Sequence, residues 1–129
     1  MTQVTAAVIE RDGQYLIARR APGQSHAGRW EFPGGKIEPG ETAEECLERE
    51  LAEEFGVRVR AERFLISTTH TYPGGAIELF AYKTTLLSGE FQLRVHDRVA
   101  WVSPSEILRY DLLPADIPIA RMLQRRVRS

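Results

Sequence analysis

The chain has 129 residues, of which 43% are hydrophobic and 27% charged, and this predicts a single domain over residues 1–129. Seventeen basic and eighteen acidic side chains give a net charge of −1, which argues against binding to a nucleic-acid polymer or a membrane surface. Cys46 is the only cysteine and no long apolar run opens the chain, so we expect a protein of the reducing cytoplasm.

The first half of the chain predicts two strands, a loop and a long helix. The segments VTAAVIE and QYLIARR are β-branched and apolar, and Asp12-Gly13 between them is typical of a hairpin turn. Residues 21–35 are rich in Gly and Pro and predict a loop that closes in a turn. Residues 42–55 lack both Gly and Pro and precede Gly56, which suits the position after a helix end.

The second half predicts further strands and two helices. Residues 57–69 and 76–86 are expected to form strands around the flexible turn YPGG. VAWVS predicts a short strand, SPSEILRY a short helix, and ADIPIARMLQRRVR a C-terminal helix. Strands mixed with helices and antiparallel hairpins predict an α/β fold with a sheet packed against helices.

The helix over 42–55 has more glutamates on its buried side than a simple surface helix needs. Its apolar stripe consists of Leu47, Leu51 and Phe55. At about 100° per residue, Glu50 and Glu54 fall beside this stripe and Glu53 lies on its flank. Carboxylates at a core margin repel one another, and Arg49 or a divalent cation such as Mg²⁺ can compensate them. The alternative is an ordinary helix whose glutamates face solvent.

This region resembles the Nudix box: a glycine, five residues, a glutamate and seven residues, then Arg-Glu-aliphatic-x-Glu-Glu-x-Gly-aliphatic. The matching positions are Gly35, Glu41, Arg49, Glu50, Leu51, Glu53, Glu54, Gly56 and Val57. RRA, WEFPGGKIE and LLPADIP are similar to the MutT branch of that family, so the resemblance runs from about Val4 to Ala120. It implies the Nudix fold, a mixed sheet sandwiched between helices.

The resemblance also implies a reaction: a nucleoside triphosphate and water give a nucleoside monophosphate and pyrophosphate, by attack of water at the β-phosphorus. The cofactor would be Mg²⁺ or Mn²⁺, bound by the Gly35 carbonyl and by Glu50, Glu53 and Glu54. The expected catalytic residues are Glu50, Glu53 and Arg49. Glu50 would take the proton of the water because it is predicted to lie deepest on the core side. Arg49 would hold the carboxylates, and Glu41 would tie the loop to the helix.

Besides Asp116, five residues are predicted to contact the nucleotide. Arg20 matches an arginine with which the MutT branch reaches its substrate, although it could also be a surface charge. Glu31 and Phe32 precede the Pro-Gly-Gly turn and are expected at the mouth of the site. Ile77 and Leu79 alternate on one strand face and could form a wall for the base, or simply pack in the core.

The chain departs from the family pattern upstream of Trp101. The family often has a further glutamate six residues before this tryptophan, where the chain has Val95 followed by His96 and Asp97. Either Asp97 takes that role from a shifted register, or the box residues act alone. His96 is expected to be a surface histidine.

Asp116 is the predicted determinant of the base. MutT enzymes that recognise 8-oxoguanine present an asparagine here, and an ionised aspartate accepts hydrogen bonds but cannot donate them. Asp116 would therefore suit an edge with donors, such as the cytosine amine. Alternatively, it only caps the C-terminal helix.

The sequence therefore predicts a nucleotide-pool enzyme acting on oxidised nucleotides such as 8-oxo-dGTP, with CTP-like substrates as the alternative. Two further functions compete with this prediction: a nucleotide sensor without catalysis, and a hydrolase of ADP-sugars or dinucleotides. The predicted partner is a small nucleotide, and the predicted state is a monomer or weak homodimer.

Overall fold

The structure is a computed structural model that describes residues 1–128. In chain order these residues form β1 (Thr2–Val8), β2 (Glu10–Arg11), β3 (Gln14–Arg20), β4 (Trp30–Glu31), α1 (Ala43–Phe55), β5 (Arg58–Tyr72), β6 (Gly75–Ser88), β7 (His96–Val102) and α2 (Ile117–Arg128). Two short 3₁₀ turns, Ile107–Arg109 and Pro114–Asp116, precede α2. Neither α-helix in this described part of the chain is long and apolar enough to cross a membrane.

Helix α1 has the ends predicted for it. The Thr42 hydroxyl accepts a hydrogen bond from the Glu45 amide at 3.0 Å, and the Glu45 carboxylate accepts one from the Thr42 amide at 2.9 Å. This capping box satisfies two backbone donors and stabilises the helix start by about 1 kcal/mol. Gly56 ends the helix in the left-handed conformation, with φ of +68°. Both helix ends are confirmed.

The strands form two sheets, and this corrects the predicted pairing of the first two strands. The Asp12-Gly13 turn is present with positive φ at both residues, but it joins β3 only to the two-residue β2. Strand β1 instead pairs in parallel with β6, which also pairs with β5 in an antiparallel hairpin. Strand β3 pairs with β2, β4 and β7 in the second sheet.

Burial explains why β1 separates from β3. Ala6 and Val8 pack in the cluster that contains residues of α2, whereas Ala7 and Ile9 pack in the cluster that contains residues of α1. A strand buried on both faces is suited to parallel pairing within a layered α/β fold. The sheets therefore lie between the two helices, which confirms the predicted α/β/α arrangement.

Two other predictions need correction in detail. The strands predicted over 57–69 and 76–86 are longer, and they meet at a tight turn where Tyr72 pairs with Gly75. The short helix predicted over 103–110 is only the 3₁₀ turn Ile107–Arg109, because this segment is anchored by tertiary packing of the fully buried Ile107 rather than by helical periodicity.

Residues 33–37 form a strap that runs antiparallel to β1 and leads into α1. The Ala7 amide donates to the Pro33 carbonyl at 2.6 Å, and the Thr5 amide donates to the Gly35 carbonyl at 2.8 Å. A Cβ on Gly34 would collide with the Thr5 carbonyl, so this close approach requires glycine. The strap therefore lies fixed against the sheet beside α1.

Candidate active site

A cavity of about 680 Å³ opens between β1, β6, the 31–36 segment and α1. Most of the predicted site residues line it: Arg20, Glu31, Phe32, Gly35, Glu50, Glu54, Ile77, Leu79 and Asp116. The fold therefore brings together residues that are up to ninety-six positions apart in the chain, from Arg20 to Asp116. Arg49 and Glu53 are not among the lining residues.

Glu50 and Glu54 form a carboxylate pair at one end of the cavity. Burial raises the pKa of Glu50 above its usual range. Burial, followed by the charges of Glu50 and Glu31, raises the pKa of Glu54 to about 8. Glu54 Oε2 is fully buried without a hydrogen-bond partner among residues 1–128. Glu54, rather than Glu50, is thus the more strongly desolvated carboxyl, which corrects the expectation from the helical projection.

Arg49 lies behind this pair and binds three glutamates. Its guanidinium donates to Glu41 at 2.6 and 3.0 Å, to Glu50 at 3.0 Å and to Glu53 at 3.1 Å. It also donates to the Lys36 carbonyl at 3.1 Å. The hydrogen bonds from Arg49 hold the pKa of Glu41 at about 2 and raise that of Arg49 itself. This arrangement connects the strap and α1 and orients Glu50 from outside the cavity.

The three box glutamates do not point to one place. The Glu53 side chain is 61% exposed, whereas that of Glu50 is 14% exposed. Within the described residues, no three His, Cys, Asp or Glu side chains converge as ligands of a metal ion. Arg49 Nη1 donates to one oxygen of Glu50 and to one of Glu53, so the guanidinium occupies the place between these two carboxylates, while Glu54 lies apart on the cavity side.

The pair nevertheless fits a divalent cation. Oxygen ligands are those that Mg²⁺ and similar ions prefer, and a cation could take the place of the proton that the raised pKa of Glu54 favours on this pair. The unpartnered Glu54 Oε2 provides a buried acceptor for it. Glu50 packs so closely on Gly35 that a Cβ there would collide with its carboxylate.

The Gly35 carbonyl, which is predicted as a metal ligand, already has hydrogen-bond partners. The Gly35 carbonyl already accepts hydrogen bonds from the Thr5 amide at 2.8 Å and the Thr5 hydroxyl at 3.3 Å. The Pro33 carbonyl likewise accepts from the Ala7 amide. The Gly34 carbonyl, between them, accepts no hydrogen bond from residues 1–128 and belongs to a residue that lines the cavity. The Gly34 carbonyl is thus free of the hydrogen bonds that the Pro33 and Gly35 carbonyls accept, and the role of the Gly35 carbonyl as a ligand stays a prediction.

Arg20, Glu31 and His96 form a hydrogen-bonded chain at the side of the cavity. Arg20 Nη1 donates to Glu31 Oε2 at 3.0 Å, and His96 Nε2 lies 2.7 Å from the same oxygen. Arg20 also donates to the Ser25 carbonyl. Arg20 is therefore held against the cavity rather than extended into solvent.

The structure separates His96 from Asp97. The β3–β7 register shifts between Arg19, which faces Arg98, and Arg20, which faces His96, so Asp97 is the extra residue of a bulge. Asp97 binds Arg19 at 2.8 and 3.0 Å and does not line the cavity. His96 is only 3% exposed, so the prediction of a surface histidine is wrong.

The other end of the cavity combines apolar walls with Asp116. Phe32 and Leu79 are buried, and Ile77 is half-buried beside them. Asp116 is 5% exposed, and its Oδ2 accepts a hydrogen bond from the Phe32 amide at 2.8 Å. Within residues 1–128 its carboxyl therefore bonds to the 31–36 segment and not to an amide of α2, contrary to the capping alternative.

Burial changes the chemistry expected of Asp116. Desolvation, followed by the charge of Glu31, raises the pKa of Asp116 well above its ordinary value. A raised pKa favours the neutral carboxyl, which can both donate and accept hydrogen bonds, whereas the prediction for the base assumed the ionised form, which can only accept.

Two aromatic residues are among the lining residues that were not predicted from the sequence. Tyr72 and His26 reach the cavity mouth from the β5–β6 turn and from the 21–29 loop, and their rings lie 5.5 Å apart. Both aromatic side chains stand in or next to Gly- and Pro-rich turns, and this was the only feature of the sequence that could have indicated a role for them at the site. Nothing in the local sequence indicates that these two loops meet.

Known proteins share both the sequence and the fold. Residues 1–124 match the NUDIX domain family. The CTP pyrophosphohydrolase of Escherichia coli (strain K12) is 42% identical over 119 residues, which cover 92% of this chain and 88% of that protein. The 8-oxo-dGTP diphosphatase of Haemophilus influenzae (strain ATCC 51907 / DSM 11121 / KW20 / Rd) is 33% identical over 122 residues, covering 94% and 90%. The solution structure of the E. coli ORF135 protein superimposes with a TM-score of 0.84 at 39% identity, covering 100% of this chain and 91% of that one.

Proposed function

The chain belongs to the Nudix family and is a hydrolase of that family, and we propose that it converts a nucleoside triphosphate and water to a nucleoside monophosphate and pyrophosphate. One observation carries this proposal: a single cavity joins the Glu50–Glu54 carboxylate pair to an apolar end with the buried Asp116. The carboxylate end suits a cation with phosphates, and the other end suits a base.

Nudix hydrolases generally need a divalent metal, and we propose Mg²⁺, with Mn²⁺ as a substitute. Glu50, Glu54 and a glycine carbonyl of the strap would hold it. When bound, the cation would neutralise phosphate oxygens and raise the acidity of a coordinated water. Glu53 would reach the site only if its hydrogen bond to Arg49 is exchanged for a ligand.

The protein side chains would act as follows. Glu50 takes the proton of the attacking water, since burial raises its pKa and so strengthens it as a base. Arg49 orients Glu50 through the 3.0 Å hydrogen bond to Oε1, which leaves Oε2 to face the cavity. Arg20 places a positive charge at the cavity, where it can attract the triphosphate.

For the base, we propose oxidised purines such as 8-oxo-dGTP as the leading substrate class. A neutral Asp116 can accept from N7–H and donate to O6 of 8-oxoguanine. The same carboxyl can accept from the cytosine amine and donate to N3, which supports CTP-like substrates as the second candidate. The chain is similar both to a relative named CTP pyrophosphohydrolase and to one named 8-oxo-dGTP diphosphatase, which supports both candidates.

The decisive experiment compares kcat/KM for a panel of nucleoside triphosphates, including 8-oxo-dGTP and CTP, with Mg²⁺ present. Hydrolysis in ¹⁸O-labelled water should place the label in pyrophosphate, as expected for attack at the β-phosphorus. Label in the monophosphate would instead mean attack at the α-phosphorus. Absence of turnover across the panel would favour a non-catalytic nucleotide sensor.

We also propose that residues 1–129 form one domain, of which Ser129 lies outside the described residues. We propose that the protein is a monomer or a weak homodimer. Light scattering after size exclusion would test the oligomeric state. The free, buried Cys46 is compatible with the reducing cytoplasm as the working compartment.

A further inference from the structure

His96 is a buried polar residue that the proposed reaction does not use. It begins β7, and its ring stacks on Phe55 with centroids 4.8 Å apart and planes at 17°. This stacking fixes the plane of the imidazole. His96 does not line the cavity, so any effect on the substrate must pass through another residue.

The hydrogen bonds of His96 identify that residue as Glu31. Nε2 lies 2.7 Å from Glu31 Oε2, whereas Nδ1 is buried without a partner among residues 1–128. An ionised carboxylate can only accept, so Nε2 carries the hydrogen and donates it. A second proton on Nδ1 would be buried without an acceptor, which favours the neutral Nε2–H tautomer.

Glu31 is thereby presented to the cavity in one orientation. Its Oε2 accepts from both His96 and Arg20, which leaves Oε1 as the carboxylate oxygen that can face a ligand. Glu31 is electrostatically coupled to Glu54 at one end of the cavity and to Asp116 at the other. It therefore lies between the expected phosphate and base positions.

We propose that His96 is a positioning residue that holds the Glu31 carboxylate so that Oε1 accepts a hydrogen bond from an O–H or N–H of the nucleoside part of the substrate. The bulge at Asp97 makes this possible, because it turns His96 inward and Asp97 outward to Arg19. Glu31 is thus held beside the site by His96. Val95, the residue before His96, stands at the position where the family often has a glutamate. This inference rests on the proposed nucleotide hydrolysis.

The test uses two substitutions of His96 and one matched control. His96→Leu removes the donor but keeps apolar bulk, whereas the amide of His96→Gln can donate from nearly the place of Nε2. Loss of a hydrogen bond to a charged group should lower kcat/KM about 10-fold in His96→Leu, chiefly through KM. His96→Gln should recover most of that loss. The control Asp97→Asn perturbs the outward side of the same bulge and should leave kcat/KM unchanged.

A double-mutant cycle separates positioning from packing. In a Glu31→Ala background there is no carboxylate to orient, so His96→Leu should cause no further loss of kcat/KM. An equal, additive loss in that background would overturn the proposal. The proposal would also be overturned if kcat/KM of His96→Leu stayed within twofold of the parent. It would be overturned equally if His96→Leu and His96→Gln lost the same amount of kcat/KM and both had a lowered Tm.

One readout does not need turnover. Long-range ¹H–¹⁵N spectra of the imidazole should show the Nε2–H tautomer in the parent protein and a shifted Nε2 proton in Glu31→Ala. An Nδ1–H tautomer, or no response to Glu31→Ala, would overturn the His96–Glu31 contact. If the parent hydrolyses no nucleotide, the proposed function fails, while this spectrum still decides whether His96 orients Glu31.

Discussion

Replacing Asp116 by asparagine should weaken recognition of the base without disabling the reaction. The Phe32 amide donates to Asp116 Oδ2, so the asparagine oxygen must take that position. Its NH₂ group then replaces the carboxyl oxygen that remains for the base. The parent residue can donate and accept there, whereas the variant can only donate. Glu50 and Glu54 at the other end of the cavity are untouched.

The size of the effect follows from one lost acceptor. The asparagine NH₂ can still donate to O6 of 8-oxoguanine or to N3 of cytosine, but it cannot accept from N7–H of 8-oxoguanine or from the cytosine amine. A substrate donor left without its acceptor costs about 1–3 kcal/mol, so kcat/KM for 8-oxo-dGTP and for CTP should each fall by roughly 5- to 150-fold. The comparison needs both nucleotides at the same metal concentration. Unchanged values of kcat/KM for both nucleotides would refute base recognition by Asp116.

The same substitution has a stability consequence with a defined sign. The pKa of Asp116 in the folded protein lies well above its ordinary value of 3.8, because burial disfavours the charge. The folded state therefore binds this proton more tightly than the unfolded chain does. Its contribution to the free energy of unfolding is full below the unfolded pKa and is lost as the pH rises through the folded pKa. Asparagine has no such proton.

Urea unfolding at a series of pH values would measure this difference. As the pH rises above about 4, Asp116→Asn should gain stability relative to the parent. A constant difference across this range would mean that Asp116 is ionised as easily in the folded protein as in the unfolded chain.

Three further perturbations test the carboxylate end. Glu50→Gln should lower kcat by at least about 10²-fold with Tm preserved, whereas the exposed Glu44→Gln on the same helix should have no effect; comparable activity in both variants would exclude Glu50 as the base. Gly35→Ala should mainly lower kcat, because its Cβ displaces the Glu50 carboxylate, whereas Gly34→Ala should mainly lower Tm, because its Cβ meets the Thr5 backbone. Thermal melts and steady-state kinetics of both variants would measure this, and a lowered Tm in Gly35→Ala with a lowered kcat in Gly34→Ala would contradict it. Removal of divalent cations with EDTA should abolish turnover while circular dichroism stays unchanged, and added Mg²⁺ should restore it; full activity after dialysis against EDTA would contradict the metal requirement.

Much of the helix-borne part of the site could be predicted because its determinants are local. The helical projection placed Glu50 and Glu54 on the buried side and Glu53 on the flank, and their exposures agree. The projection could not rank Glu50 against Glu54. Glu54 is influenced by the charge of Glu31, and Glu50 packs against the strap at Gly35, and both of these belong to other parts of the fold.

The neighbours of Asp116 and His96 could not be inferred from local sequence. The partner of Asp116 is the Phe32 amide, eighty-four residues away, and this contact both orients and buries the carboxyl. The environment of His96 depends on a bulge between β3 and β7 that shifts the register by one residue. A one-residue shift reverses which side chains face inward.

The sequence by itself determined the features whose hydrogen bonds close within a few residues. These are the capping box of Thr42 and Glu45, the left-handed Gly56 and the Asp12-Gly13 turn. Their geometry follows from backbone sterics and short-range donors. Only the tertiary structure decided that β1 pairs with β6 rather than β3, and that Asp116 is buried against Phe32. Strand pairing and desolvation depend on groups that are distant in the chain, so no local pattern specifies them.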